Sequence, residues 1–385
     1  MMKTIKQLFC YAFIFIIATA CSSVSNPHTA VDKLEILPGI SEAQTDTVAS
    51  VLSQFPNHTQ FSIVLIDDSM SVFYGAVREQ DTLETIDNSD AVFEIGSLSK
   101  VFTSTLLADL VNRDQVKLDQ PIQGYLDIPL HNNIDITFKQ LANHTSGLPR
   151  IPDGFVWESL LHMDNPYKDY DEERLREYLS EEMELKSETG TEFQYSNIGA
   201  GILGYVLTTI EQKSYEELVQ QLIFEPLNMP SSTTQRESVS DKLVTGLSKR
   251  GNPTSYWDFG ALAGAGAILS TAEDLVKFAK ANFNPNNEVL ALQRQKTFTI
   301  DKDRQMALGW FILKWASVDH WYWHNGGTGG FRSSMALDAV DRKGVIVLSN
   351  ISAGHSHAAS IDRLSFGLLE SLQQTGTEIQ VNTCN

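Results

Sequence analysis

Ser97-Leu98-Ser99-Lys100 sets a hydroxyl and an amine three positions apart. At the start of a helix such positions share a face, so the amine lies beside the hydroxyl. A free hydroxyl is a weak nucleophile and needs a neighbouring base or cation to lose its proton. The helix N-terminus adds backbone N–H groups and partial positive charge where an oxyanion would develop. Tyr195-Ser196-Asn197 is a second candidate group. A phenol serves as general base when nearby cations lower its pKa. The Asn197 amide can bind a substrate carbonyl and order Lys100. A third is His324-Asn325-Gly326-Gly327-Thr328-Gly329-Gly330-Phe331, which follows the strand-like run Trp321-Tyr322-Trp323. Its glycines permit close backbone approach to a ligand, and a strand edge there can donate an N–H to an acyl oxygen. Each group alone is weak: a surface Ser and Lys, a packed aromatic and a Gly-rich hairpin turn read equally well.

Several elements must hold these groups. Ser97 to Asn112 reads as a buried helix, with Val101, Leu107, Leu110 and Val111 at helical spacing. Asn197 to Ile210 reads as a central apolar helix, and Ser41 to Gln54, Glu172 to Glu184 and Tyr215 to Ile223 as amphipathic ones. Ser270-Thr271-Ala272-Glu273 has capping-box spacing and should open a helix ending near Asn282. Phe61 to Ile66 and Ser71 to Val77 read as strands joined by a turn at Asp67-Asp68-Ser69. Leu308 to Trp315, Trp321 to His324, Ser333 to Asp338 and Gly344 to Ser349 read as further strands, and Ala358 to Gln373 as a closing helix. Strands at both ends around a helical middle predict an α+β sandwich with an antiparallel sheet flanked by helices. A mostly helical lobe is inserted at approximately 115–305.

Ser-x-x-Lys, Tyr-Ser-Asn and His-x-Gly followed by Thr-Gly-Gly-Phe, in that order, resemble the class C β-lactamase and penicillin-binding-protein superfamily. Ile136 to Pro149, Phe224 to Met229 and Gly264 to Thr271 are similar to it as well, and the resemblance runs from about 40 to 370. It implies a five-stranded β-lactamase/transpeptidase-like sheet and no metal or cofactor. It implies that Ser97 attacks the acyl carbon, that Lys100 takes part in proton transfer and holds positive charge near Ser97, and that Tyr195 is the general base. Asn197 would orient Lys100 and the substrate amide, and the backbone N–H groups of Ser97 and Gly327 would form the oxyanion hole. The third motif departs from the usual Lys-Thr-Gly: His324 is charged only in part near neutrality. A β-lactam carboxylate therefore loses a permanent cation, and so does Tyr195. Arg332 is a candidate replacement.

The remaining features bound location and partners. Lys3 and Lys6, an apolar run from Leu8 to Ile17 and Ala18-Thr19-Ala20 read as a signal peptide over 1–20. Cys21 follows as a lipobox-like acylation site, 21–38 reads as a lipidated tether, and 39–385 as the hydrolase domain. The expectation is a periplasmic monomer held to a Gram-negative outer membrane by its lipid. With Cys10 in the signal and Cys21 acylated, Cys384 has no disulfide partner. Across 385 residues, 48 acidic against 29 basic side chains give a net charge of −19, which argues against nucleic acid. His144 reads as structural, and His355-Ser356-His357 lacks acidic or Cys partners for a metal. No Gly-x-Ser-x-Gly elbow is present. The expected activity is an acyl-serine hydrolase for peptidoglycan-type D-amino-acid peptides. A class C-type β-lactamase, a carboxylesterase and a non-turnover β-lactam sensor are the alternatives.

Overall fold

The computed structural model describes residues 30–382 apart from 69, 154, 156–161, 163 and 316–317. The signal peptide, Cys21 and Cys384 lie outside the described residues.

The described residues form twelve strands and nine α-helices. The strands are β1 (Val31–Lys33), β2 (Gln60–Asp67), β3 (Met70–Glu79), β4 (Thr82–Ile86), β5 (Phe93–Glu94) and β6 (Leu269–Ser270). They continue with β7 (Phe298–Thr299), β8 (Arg304–Met306), β9 (Phe311–Trp315), β10 (Val318–Gly327), β11 (Arg332–Asp338) and β12 (Lys343–Ser349). The helices are α1 (Glu42–Leu52), α2 (Ser99–Asn112), α3 (Phe138–Ala142), α4 (Glu172–Glu177) and α5 (Asn197–Glu211). The last four are α6 (Tyr215–Val219), α7 (Ala272–Asn282), α8 (Glu288–Gln293) and α9 (Ala359–Asn382).

The main sheet has ten strands in the order β1-β4-β3-β2-β12-β11-β10-β9-β8-β7, where five were expected. The extra strands are edge pieces such as β1, β7 and β8, too short for a period-2 pattern to show in the sequence. Every pairing is antiparallel except β1 with β4. β1 is the end of the segment read as a tether: Val31 to Lys33 pair with Thr82 to Glu84.

Alternation along the central strands builds two cores. Ile63, Leu65, Val345 and Val347 face α1 and α9, meeting Val48, Leu52, Ile361 and Leu368. Val64, Ile66, Ile346 and Leu348 face the other way, into the cluster built on α2, α5 and α7. That double burial is why Phe61 to Ile66 is nearly continuously apolar. Each such Val, Leu or Ile stabilises the fold by roughly 1.5–3 kcal/mol. Between β4 and β7 the chain is mostly helical, with β5 and β6 forming a separate two-stranded sheet.

Two helix starts differ from expectation in detail. The Ser97 segment opens as a 3-10 turn, Gly96–Leu98, before α2 begins. The cap of α7 is Thr271, not Ser270: Thr271 is extended and its side chain accepts from the Asp274 N–H. Ser270 is drawn into β6, and its hydroxyl lies 2.8 Å from Ser232 Oγ. The capping-box pairing with Glu273 is therefore absent. Thr271→Ala should cost about 1 kcal/mol through the lost cap, read as a lower urea midpoint at unchanged m-value.

Candidate active site

Sheet order brings the two ends of the chain together at the Ser97 turn. β10 extends past the end of β9, whose last partner pair is Phe311 with Trp323. Residues 324–327 of β10 therefore have an open edge. Thr328 N–H points to β11, donating to Phe331 O at 3.0 Å. Because strand amides alternate sides, the Gly327 N–H points to the open edge. That edge lies directly against the turn carrying Ser97. A Cβ on Gly326 would fall 1.7 Å from Ile95 O, and one on Gly96, at φ +52, would fall 2.6 Å from Gly327 N. Gly326 thus serves backbone-to-backbone approach within the protein, where approach to a ligand was the expectation, and Gly96 serves the same contact from the other side.

Lys100 sits one turn into the helical segment and points inward, 2 % exposed. Its Nζ donates to Ser97 Oγ at 3.0 Å and to Ala265 O at 2.7 Å. Burial pulls its pKa well below the usual lysine range, and the Arg150 charge adds to this.

Tyr195 reaches the same hydroxyl from another element. The His144–Arg150 loop fixes it from both sides: Gln194 N–H donates to His144 O at 2.8 Å, and Asn197 N–H to Arg150 O at 2.8 Å. Ser196 caps α5 through the Gly199 N–H and donates to Pro149 O. His144 is structural in this geometry, its Nδ1 accepting from Ser196 N–H and its ring lying 4.5 Å from the Tyr195 ring. The Tyr195 phenol lines the same cavity as Ser97, close enough for that hydroxyl to lower its pKa. Burial nevertheless pushes the pKa up to about 12, outweighing Ser97 and the Arg150 and Arg332 charges. The phenol is therefore protonated at rest, contrary to the expectation that cations would depress it.

The other expected residues divide. Asn197 does not order Lys100: its amide donates to Tyr167 Oη at 2.9 Å, and its buried Oδ1 has no partner among the described residues. His324 is fully buried, with Nδ1 2.6 Å from Asn325 O. Burial lowers its pKa to about 3, with the Lys100 charge contributing, so it is neutral and supplies no cation. Asn325 donates to Asp362, which also pairs with Arg332. Ser97, Tyr195, Asn325, Gly327 and Arg332 share one cavity of about 340 Å³, walled on one side by Phe193, Phe311 and Trp323. Among the described residues, no group of three or more His, Cys, Asp or Glu is placed to hold a metal ion.

Three participants escaped the sequence reading. Ala265 acts through a backbone carbonyl, which no residue type signals. Arg150 lies one residue past the recognisable Ile136–Pro149 segment. Glu94 lies three residues before Ser97, where an acid in an apolar run was the available sign.

A family model for the Beta-lactamase family matches residues 61–368. The chain belongs to the Beta-lactamase family. It is 27% identical over 368 residues to the D-alanyl-D-alanine-carboxypeptidase/endopeptidase AmpH of Escherichia coli K12, covering 88% of this chain and 90% of that one. It is 24% identical over 332 residues to protein flp of a Staphylococcus aureus strain, covering 81% of this chain and 64% of that one. Among solved structures, a β-lactamase/D-alanine carboxypeptidase from Pseudomonas syringae superposes with TM-score 0.70 at 21% identity, covering 85% of this chain and 97% of that one. A class C β-lactamase from Rhodobacter sphaeroides gives TM-score 0.70 at 21% identity, covering 86% and 100%. These two likenesses bear on the fold. The protein is a serine hydrolase of the β-lactamase fold.

Glu94 gives a pH prediction. It is 4 % exposed, and its carboxylate accepts from Trp257 N–H at 2.7 Å and Thr328 Oγ1 at 2.6 Å. Burial raises its pKa from 4.5 to about 7 despite those bonds. A raised carboxyl binds its proton more tightly when folded. Its contribution to stability is full below about pH 4.5 and is lost as pH rises through about 7, on the order of 3 kcal/mol in all. Glu94→Gln keeps an acceptor for Trp257 and removes the titration. Melting curves across that window should show wild type losing stability relative to the variant as pH rises.

Proposed function

We propose that this protein is an acyl-serine hydrolase of peptidoglycan-type peptides ending in D-amino acids, with β-lactams as inhibitors or slow substrates. The observation that carries the reading is the convergence of the Lys100 amine and the Tyr195 phenol on the Ser97 hydroxyl. The name of the Escherichia coli relative, a D-alanyl-D-alanine-carboxypeptidase/endopeptidase, supports the substrate class.

Lys100, its basicity lowered by burial, takes the Ser97 proton as Oγ bonds to the acyl carbon. The Ser97 and Gly327 N–H groups receive the oxyanion, a term worth about 3 kcal/mol per donor in such sites. Collapse breaks the C–N bond, Tyr195 gives its proton to the departing amine, and the Lys100 ammonium restores it. Water then repeats the sequence on the acyl-enzyme. The unpartnered Asn197 Oδ1 is available to a substrate N–H.

A neutral His324 leaves the third motif without the cation that a Lys there would offer a lactam carboxylate. Release of D-alanine from a D-alanyl-D-alanine peptide should therefore exceed nitrocefin hydrolysis in kcat/KM, and Ser97→Ala should abolish both, along with the penicillin adduct in intact-mass spectra. Nitrocefin as the better substrate would select the β-lactamase reading, while p-nitrophenyl esters alone would select a carboxylesterase. A penicillin adduct that forms without any turnover would select the sensor.

Localisation in the periplasm through a lipid on Cys21 belongs to the same proposal and is supported by the lipobox-like run Ala18-Thr19-Ala20-Cys21. Cys21→Ser should move the protein from the membrane fraction to the soluble one and eliminate incorporation of labelled palmitate.

A further inference from the structure

The cavity holding Ser97 has an unusual charge for so acidic a chain. Among the described residues its charged lining groups are Arg150, Arg304 and Arg332, and no carboxylate lines it. Two of the three are already compensated. Arg304 is bonded to Asp301, Nε to Oδ2 at 2.8 Å, and Arg332 is paired with Asp362. His324 is neutral, and Lys100 is buried beneath Ser97. Arg150 differs from all of these. It is exposed, and its guanidinium makes no ion pair among the described residues. It lies over the Tyr195 ring, 5.0 Å from Cζ to the centroid. Its backbone carbonyl is anchored by Asn197 N–H, which ties its Cα to the start of α5.

We propose that Arg150 is the specificity-determining residue of this site, receiving a carboxylate on the leaving group of the substrate. This rests on the acyl-enzyme reading above and adds the substrate's charge to it. A guanidinium presents paired N–H donors that match a carboxylate's two oxygens, so the contact selects charge and shape together. Its place over Tyr195 fixes the side of the substrate concerned, because Tyr195 protonates the leaving group. The charge that a Lys at the third motif would have supplied from β10 comes instead from the opposite wall, on the loop that follows α3. The aromatic wall of Phe193, Phe311 and Trp323 provides apolar surface beside it.

A matched pair of thioesters tests this: N-acetyl-D-alanyl-thiolactate, with a carboxylate on its leaving group, and the corresponding thiolactamide, without one. The ratio of kcat/KM for acid over amide is measured for wild type, Arg150→Gln and Arg150→Lys. Wild type should favour the acid. Arg150→Gln should lower the ratio by at least about tenfold, chiefly through KM for the acid, as expected for a lost charged hydrogen bond. Arg150→Lys should restore part of it. If Arg150 acts only on Tyr195, both substrates fall together and the ratio stays fixed, which overturns the proposal. Wild type that handles acid and amide alike, or accepts neither while a fluorophosphonate still labels Ser97, overturns it too. Loss of Ser97 labelling itself would instead count against the acyl-enzyme reading.

Discussion

The crossing of β10 over the Ile95–Ser97 turn is the constraint on which the site depends. Neither backbone has room for a side chain at the contact: Gly326 faces Ile95 O and Gly96 faces Gly327 N. Ser333 Oγ adds a bond to Ile95 O at 2.7 Å from the neighbouring strand. This seam sets the Ser97 and Gly327 amides side by side. It also packs Lys100 into the interior, because the segment that enters α2 can only continue inward. The amine's loss of basicity follows chiefly from this burial, with the Arg150 charge adding to it.

Around that seam the site is assembled from short-range ties rather than one rigid element. The His144–Arg150 loop grips the start of α5 and thereby aims Tyr195 and Asn197. Glu94 links the Trp257 loop to Thr328, just beyond the Gly327 amide. Trp257 lies 5.5 Å from the Tyr167 ring, whose hydroxyl receives the Asn197 amide. A continuous chain of contacts therefore runs from the end of β10 round to the opposite wall of the cavity.

The sequence disclosed the site better than the sheet. Ser97, Lys100 and Tyr195 are legible as a candidate site because their side-chain types could do such chemistry, and their order along the chain is distinctive. The two-sided burial of β2 and β12 showed as apolar runs. What stayed hidden depends on tertiary surroundings. The two-residue β7 and three-residue β8 carry too few side chains for a pattern. The protonation of Tyr195 and His324 depends on desolvation, which residue type cannot report. Arg150 reads as an ordinary surface charge until its neighbours are known. The α7 cap moved by one residue because Ser270 is claimed by a strand that only the folded protein has.

The pairing of β2 with β12 joins residues 60–67 to 343–349 across the middle of the sheet. Neither strand can bury both faces until nearly the whole polypeptide is available. Such long-range closure carries a large loop-entropy cost before any reward and slows folding. A chain emerging vectorially from its N-terminus therefore exposes the apolar Phe61–Ile66 run until residues 343–349 follow. Chaperones that shield extended apolar strands would matter more to this protein's yield than the intrinsic stability of its finished fold.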